Sequence, residues 1–213
     1  MAARSGGSSS PDTPPAEQGR AELGQRIRQL REARGLTLQT IADRSGLAIS
    51  TISKIERGLM APTYDRFSGL ARGPGVDVTH LFSPGGRRFE AGTVALARAG
   101  EFGFLETENY AYEMLFPDVR GKAMIPMCGT LKPLQKMSFE RMVNHPGEEF
   151  LMVMSGRVVV QLEGREEIVL DTGDSLYFDS GRGHLYAAEG DEGARILVVC
   201  TAPDGAAGPD RAA

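Results

Sequence analysis

The chain has 213 residues, enough for two domains of ordinary size, and its 41% hydrophobic and 24% charged residues are typical of a globular protein. Its sequence has no stretch as long as a membrane span and no apolar signal-peptide core near the N-terminus, so we expect a cytoplasmic protein. The net charge of −4 is unevenly divided: residues 20–83 carry 10 basic against 6 acidic side chains, and residues 84–213 carry 13 against 20. A basic module joined to an acidic one favours a DNA-binding head on a body that avoids DNA.

The two ends of the chain are polar and rich in small residues. Residues 1–20 contain many Ser, Gly and Pro, and residues 203–213 are similar, so both are predicted to be disordered tails. Between them, residues 21–83 form the predicted helical domain, residues 84–92 a linker, and residues 93–202 a second domain.

The helical domain shows apolar periodicity typical of short helices. Helices are predicted near 21–34, 37–44, 48–57, 63–72 and 77–82. Gly46 suits a tight turn with a positive φ between the second and third helices. Gly73 and Pro74 must shorten the fourth helix.

The segment 35–58, GLTLQTIADRSGLAISTISKIERG, predicts a helix-turn-helix. In its second helix Ile52 and Ile55 share an apolar back, and Ser50, Thr51, Ser53 and Lys54 point the other way. A short helix with a small, polar and basic front can enter the major groove of DNA. An ordinary helical hairpin has the same periodicity and is the alternative.

The detailed pattern, from LGQRIRQLREARGLTL through IAxxSGL to STISKIERG, resembles the phage-repressor-like (XRE) family over about residues 22–82. The resemblance implies that Thr37 starts helix 2, that Ala42 lies at a tight helix crossing, and that Arg31 pairs with Glu56. Ala48 departs from the usual polar N-cap of the recognition helix, and Leu38 stands where many members have a polar residue. The DNA-binding residues implied are Gln39, Ile49, Ser50, Thr51, Ser53 and Lys54.

After residue 84 the chain changes to short β-like segments separated by turn signals. The predicted strands are GTVALARAG, YAYEMLF, KAMIPMCGTL, FLMVMSGRVVVQL, EEIVL, DSLYF and ARILVVC. Regular short strands with Gly-containing turns predict an all-β sandwich or barrel. Cys128 and Cys200 lie in apolar strand-like segments, which favours buried, reduced thiols over a redox pair.

Two segments of this domain resemble the motifs of the cupin family, a jelly-roll-like β-barrel. The first motif, H-x-H-x3-4-E followed by Gly, is matched by His145, Glu149 and Gly156, but Val143 replaces the first histidine. The second, G-x5-P-x-G-x2-H, is matched by Gly173, Gly181 and His184, with Asp179 in place of the proline. The fold expected for the chain is therefore α+β and multidomain, an all-α helix-turn-helix domain followed by an all-β cupin barrel.

The matched side chains suggest a metal site. Two imidazoles and a carboxylate suit Fe, Mn, Ni or Zn, so His145, Glu149 and His184 are predicted ligands of a divalent transition metal. A decayed site that binds a small molecule without metal is the alternative. Tyr177, Tyr186 and Met152 are predicted to line the ligand pocket, although core packing is the simpler role for them.

Two functions fit these domains. The combination resembles bacterial HTH–cupin transcriptional regulators, which implies a homodimer that binds a palindromic operator and senses a small-molecule effector. It also resembles the iron-dependent phosphonate epoxidase, a mononuclear non-haem iron enzyme. Because the recognition helix keeps Lys54 and its Ser/Thr front, the regulator is the preferred prediction and no catalytic residue is assigned.

Overall fold

The computed structural model describes residues 15–76, 81, 85–107, 109–139 and 141–201. Within these residues a helical N-terminal domain precedes a β-rich C-terminal domain, which confirms the predicted fold class. The helix predicted near 77–82 lies almost entirely outside the described residues.

Four helices in the described part of the N-terminal domain lie close to their predicted positions. They are α1 (Pro15–Ala33), α2 (Leu38–Ser45), α3 (Ile49–Glu56) and α4 (Tyr64–Arg72). Helix α1 begins earlier than predicted, so residues 15–20 of the predicted tail are helical. A proline is well suited to the first helical position because its missing N–H would have no partner there.

Local chemistry explains where α2 and α4 begin and end. Thr37 caps α2, because its side chain accepts a hydrogen bond from the Thr40 N–H at 3.1 Å. Gly46 ends α2 with a φ of 72°, the left-handed conformation expected from the sequence. Helix α4 ends at Arg72, directly before Gly73 and Pro74, as predicted.

A partly buried ion pair joins α1 to α3. The Arg31 guanidinium donates to both carboxylate oxygens of Glu56, at 2.7 and 2.9 Å, and to the Leu36 carbonyl at 3.1 Å. Glu56 contributes to raising the pKa of Arg31, first through this hydrogen bond. The family resemblance implied this pair, and the fork geometry explains why an arginine occupies the position.

The two helices also approach closely at Gly24 of α1. A Cβ atom at this position would collide with the backbone carbonyl of Ile55 and lie 2.9 Å from that of Glu56. Glycine at this point therefore allows α1 to contact the C-terminal end of α3.

The C-terminal domain contains eleven strands in its described residues. They are β1 (Arg87–Arg88), β2 (Phe102–Glu106), β3 (Tyr110–Leu115), β4 (Val119–Arg120), β5 (Met124–Leu131), β6 (Glu148–Ser155), β7 (Val158–Leu162), β8 (Ile168–Leu170), β9 (Ser175–Asp179), β10 (His184–Ala188) and β11 (Ala194–Thr201).

These strands form a six-stranded sheet in the order β2-β3-β5-β11-β6-β9 and a three-stranded sheet in the order β10-β7-β8. All their pairings are antiparallel, and β1, which lies within the segment predicted to be the linker, forms a short parallel pair with β4. The six-stranded sheet alternates buried and exposed residues along β3, β5 and β11. One of its faces therefore lines the barrel interior, and the other, called here the outer face, points away from it.

The strand predictions were wrong in two ways. The segment GTVALARAG forms no described strand, and its Val94 and Leu96 are exposed, because alternating apolar residues form a strand only where a neighbour completes the ladder. Strand β10 escaped prediction because all five of its residues are buried, which removes the alternation that marks a half-buried strand.

The close approach at Gly24 generates a stability prediction. Gly24→Ala should lower the free energy of unfolding by about 1–3 kcal/mol, because the methyl group meets backbone atoms that cannot move aside. Gly19→Ala is the matched control: it lies on the same helix with nothing within 4 Å of an added Cβ, so it should stabilise by up to about 1 kcal/mol. Thermal unfolding of the three proteins checks this, and equal effects of both substitutions would contradict the close packing.

Candidate functional site: a His–Glu cluster in the barrel and a recognition helix

Backbone hydrogen bonds hold the two cupin-like motifs side by side. Val143 and His184 exchange both backbone bonds, at 3.0 and 2.8 Å, and the His145 N–H donates to the Ser180 carbonyl at 2.9 Å. Residues about forty positions apart in the sequence are thereby fixed in register inside the barrel.

The three side chains predicted from the motifs meet in the barrel interior. His145, Glu149 and His184 are all buried and form what we call the His–Glu cluster. Glu149 Oε2 lies 3.1 Å from His145 Nε2 and 3.8 Å from His184 Nε2. The two imidazole rings meet edge to face with their centroids 5.4 Å apart.

The orientation of His184 is fixed by the backbone. Its Nδ1 lies 2.8 Å from the Arg182 carbonyl, so Nδ1 carries the donated proton and Nε2 offers its lone pair to the cluster. Burial lowers the pKa of His184, against the opposing effect of Glu149. A neutral imidazole held in this way is suited to be a metal ligand.

One atom of the cluster has no partner. Glu149 Oε1 is buried without a hydrogen-bond partner among the described residues. The adjoining cavity has a volume of about 20 Å³, which accommodates one water-sized species. An unpaired buried carboxylate oxygen beside such a space fits a bound cation or water, so the residues present are compatible with a metal.

A thiol also reaches the cluster. Cys200 Sγ lies 3.4 Å from Glu149 Oε2, and the ligand atoms of His145, Glu149 and Cys200 lie within 4.8 Å of one another. Burial, followed by the charge of Glu149, raises the pKa of the Cys200 thiol well above its usual value. Both cysteines are free, as expected, and Cys128 is only half-buried.

The wall of the cavity includes a residue from the helical domain. Tyr64, the first residue of α4, is 8% exposed, and its ring meets that of His145 edge to face at 5.0 Å. It also lies 6.4 Å from the ring of Tyr112, and its hydroxyl interacts with the Cys200 thiol. Burial is the largest cause of the raised pKa of Tyr64.

A second contact joins the same part of α4 to the barrel. Arg141 donates to Asp65 at 3.0 Å, and the Asp65 side chain is only 11% exposed. Two consecutive residues of α4 therefore contact the barrel, one inside its cavity and the other at the rim.

The remaining predicted pocket residues separate into two groups. Tyr186 lines the cavity, and its hydroxyl lies 3.0 Å from that of Tyr112. Tyr177 and Met152 do not line it: they are 65% and 38% exposed and lie on the outer face. Strand alternation gives the reason, since their neighbours Phe178 and Val153 take the inward positions.

No pattern in the sequence indicated Tyr64, which lies outside the barrel segment. The spacing of Tyr110 and Tyr112, two residues apart in a predicted strand, did contain a signal that both face the same side. Both tyrosines line the cavity.

The predicted DNA-reading surface lies on helix α3 of the helical domain. Ile52 and Ile55 of α3 are buried, whereas Ile49, Ser50 and Lys54 are exposed. Thr51 and Ser53 are half-buried. Helix α3 therefore presents a small, basic surface in the way its sequence predicts.

Two details modify this surface. The N-cap position of α3 is Ala48, which has no side-chain oxygen to cap the helix, so backbone N–H groups remain available for a phosphate. Gln39 of α2 donates to Asp43 at 2.7 Å and would have to exchange this bond for one to DNA.

Comparison with known proteins assigns both domains. Residues 27–81 match the helix-turn-helix family, and residues 132–200 match the cupin domain family. The chain therefore joins a helix-turn-helix domain of the XRE type to a cupin domain, and it is a DNA-binding transcriptional regulator of the HTH–cupin class.

Individual relatives are similar to this chain over most of their length. The chain is 23% identical over 164 residues to the HTH-type transcriptional regulator PuuR of Escherichia coli (strain K12), which covers 77% of this chain and 86% of the relative. A solved HTH_3 family transcriptional regulator from Vibrio cholerae is similar with a TM-score of 0.59 and 20% identity, over 88% of this chain and 99% of that one. Hydroxypropylphosphonic acid epoxidase from S. wedmorenis is similar at a TM-score of 0.45 and 21% identity, over 85% and 97%.

None of the described helices is long and apolar enough to span a membrane.

The exposed position of Lys54 generates a DNA-binding prediction. Lys54→Ala should weaken binding to the operator by about 1–3 kcal/mol if the side chain reads a base, or weaken binding to all sequences if it contacts phosphate. The operator is first identified by selection from genomic DNA, and fluorescence anisotropy measures the affinities.

Lys136→Ala, in the exposed 3₁₀ turn of the barrel, is the control and should bind DNA as the wild type does. If neither Lys54→Ala nor a Ser50/Thr51 double alanine variant alters specific binding, α3 is not the reading helix.

Proposed function

We propose that the cupin domain is a sensor, and that occupancy of its cavity by a divalent transition metal, a small-molecule effector or both changes the affinity of the helix-turn-helix for an operator. The protein would act in the cytoplasm on double-stranded DNA. The observation that supports this function best is the position of Tyr64, a residue of the DNA-binding domain that lies inside the cavity of the sensor.

An effector bound in the cavity and the Tyr64 ring would occupy the same space. With the Tyr64 ring against His145, the remaining volume of about 20 Å³ holds one water or one ion, but not an organic molecule. We propose that an effector larger than a few atoms enters by displacing Tyr64. Displacing it moves the N-terminus of α4, because Tyr64 is the first residue of that helix.

Helix α4 is in turn tied to the helix-turn-helix. Arg44 of α2 donates to the Gly73 carbonyl at the end of α4, at 3.3 Å. A Cβ atom at Gly73 would lie 3.0 Å from the Ile41 side chain, so the end of α4 packs directly on α2. A series of contacts therefore leads from the barrel through α4 to α2, the helix that precedes the recognition helix α3.

For the metal, we propose His145, Glu149 and His184 as ligands, with Fe, Mn, Ni or Zn as candidates. Val143 cannot ligate, so at least one coordination position is free for water or an effector. When bound, the metal would neutralise the buried carboxyl group and orient an anionic effector. If no metal binds, the same three residues would contact a small molecule directly.

The runner-up function, a mononuclear non-haem iron enzyme, requires room for a substrate and O₂ beside the metal. Tyr64 fills that space in this structure. In a sensor, the displacement of Tyr64 by an effector would itself be the signal. We therefore favour the regulator and assign no catalytic residue.

We further propose a homodimer joined through the outer face of the six-stranded sheet. Cross-strand register places Phe102, Leu115, Pro126, Val199, Phe150 and Tyr177 in one apolar row across this face. Phe104 and Met152, in the next row, are 52% and 38% exposed. A second copy would bury this surface and supply the second helix-turn-helix that tight specific binding to a palindromic operator needs.

The sensor role predicts a metal-dependent or effector-dependent change in DNA affinity. Operator affinity is measured with apo protein, with Fe²⁺, Mn²⁺, Ni²⁺ and Zn²⁺ in turn, and with a library of small metabolites. We expect a change of about 5- to 150-fold, the usual range of coupling between two sites. His184→Ala should abolish the response to metal while the apo protein still binds the operator.

Tyr64 variants separate sensing from coupling. Tyr64→Ala should retain metal binding, measured by calorimetry, but lose most of the change in DNA affinity, whereas Tyr64→Phe keeps the ring and should retain it. A full response in Tyr64→Ala would exclude this residue from the coupling. The absence of any response in the wild type to all metals and metabolites would exclude the sensor role.

The proposed dimer is checked by sedimentation. Met152→Asp should produce monomers at micromolar concentration and weaken operator binding, because a charge cannot be buried in the apolar contact. Val169→Asp, on an exposed apolar residue of the other sheet, is the control and should remain dimeric. A wild-type monomer that binds the operator with full affinity would contradict this arrangement.

A further inference from the structure

The His–Glu cluster has a fourth neighbour that the cupin motifs do not contain. Cys200 of β11 lies opposite Glu149 of β6 in the register of the two strands, and both side chains are directed into the barrel. From the structure we infer that Cys200 is a metal ligand and that, with His145, Glu149 and His184, it forms a thiolate-containing site for a thiophilic divalent cation such as Zn²⁺. This inference rests on the proposed metal binding by the barrel.

The distances from Glu149 Oε2 to the other three ligand atoms are close to those of a tetrahedral site. Metal bonds of about 2.0–2.1 Å to nitrogen, 2.0–2.2 Å to oxygen and 2.3 Å to sulfur separate neighbouring ligand atoms by about 3.3–3.6 Å. Glu149 Oε2 lies 3.1 Å from His145 Nε2, 3.4 Å from Cys200 Sγ and 3.8 Å from His184 Nε2. The ligand atoms of His145, Glu149 and Cys200 lie within 4.8 Å of one another, and a side-chain adjustment of His184 would bring all four to a common centre.

An independent observation indicates that a ligand is required here. The other oxygen of the same carboxyl group, Glu149 Oε1, is buried with no hydrogen-bond partner in the described part of the chain. A cation that the carboxylate binds through both oxygens would satisfy Oε1 as well as Oε2, whereas a further hydrogen-bond acceptor would not. The single-water volume of the adjoining cavity also suits an ion better than a larger molecule.

The chemistry of the donors determines which metals bind. A set of two nitrogen atoms, one oxygen and one sulfur favours Zn²⁺ and disfavours Mg²⁺, Ca²⁺ and Mn²⁺, which prefer oxygen. When Cys200 ligates, a metal–sulfur bond replaces a metal–water bond, and the S–H proton passes to solvent. Val143, at the position of the first motif histidine, supplies no ligand, and the sulfur of Cys200 would occupy the coordination position that His145, Glu149 and His184 alone leave free for water.

Cobalt(II) titration of the metal-free full-length protein tests this assignment. Wild type should develop both the visible bands of tetrahedral Co²⁺ and the near-ultraviolet charge-transfer band of a thiolate–cobalt bond. Cys200→Ser should lose the charge-transfer band and bind at least about 10-fold more weakly. Cys128→Ser, which removes the half-buried thiol on the outer face, should behave as wild type.

X-ray absorption of Zn²⁺-loaded wild type provides a test that does not depend on the folding of a variant. One sulfur neighbour at about 2.3 Å is expected. Metal binding with no sulfur neighbour, or a charge-transfer band that persists in Cys200→Ser, would overturn the role of Cys200 and leave the His–Glu cluster as the site. Absence of any cobalt or zinc binding by wild type would overturn the metal site as a whole.

Discussion

The buried carboxyl group of Glu149 is the constraint on which the barrel interior depends. A carboxyl group with 1% exposure is costly unless neighbouring groups supply hydrogen bonds or charge. His145, His184 and Cys200 surround one of its oxygens, and the backbone bonds of Val143 and Ser180 hold the two loops that bring the histidines there. The second oxygen has no partner among the described residues, which supports the proposed binding of a cation at this cluster.

This site is connected to the DNA-binding domain through Tyr64. A phenol ring that projects from one domain into the cavity of another links them more specifically than a flexible linker, because its position depends on what else the cavity holds. The Arg141–Asp65 ion pair at the rim keeps α4 close to the barrel. The proposed coupling then requires no long pathway, because α4 contacts the cavity of the barrel at its first residues and α2 of the helix-turn-helix at its last.

The helical domain is stabilised independently of the barrel. The partly buried Arg31–Glu56 pair and the close contact at Gly24 fix α1 against α3 with interactions inside the domain. Helix α3 can therefore keep its shape while α4 shifts. Such a division, with a rigid reading unit and a movable connecting helix, suits a protein whose two sites communicate over a short distance.

The sequence by itself determined the local features of this protein. The periodicity of Ile52 and Ile55, the Gly46 turn, the cap at Thr37 and the motif residues His145, Glu149 and His184 are all short-range patterns, so helices, domain order and the His–Glu cluster could be predicted. Only the tertiary structure decided which face of the sheet each strand residue occupies and how the two domains contact each other. A one-residue change of phase moves a side chain to the opposite face of a sheet, which is why Tyr177 and Met152 were wrongly predicted to line the pocket. The positions of Tyr64 and Cys200 beside Glu149 depend on the packing of α4 and on the pairing of β11 with β6, and no local pattern records either contact.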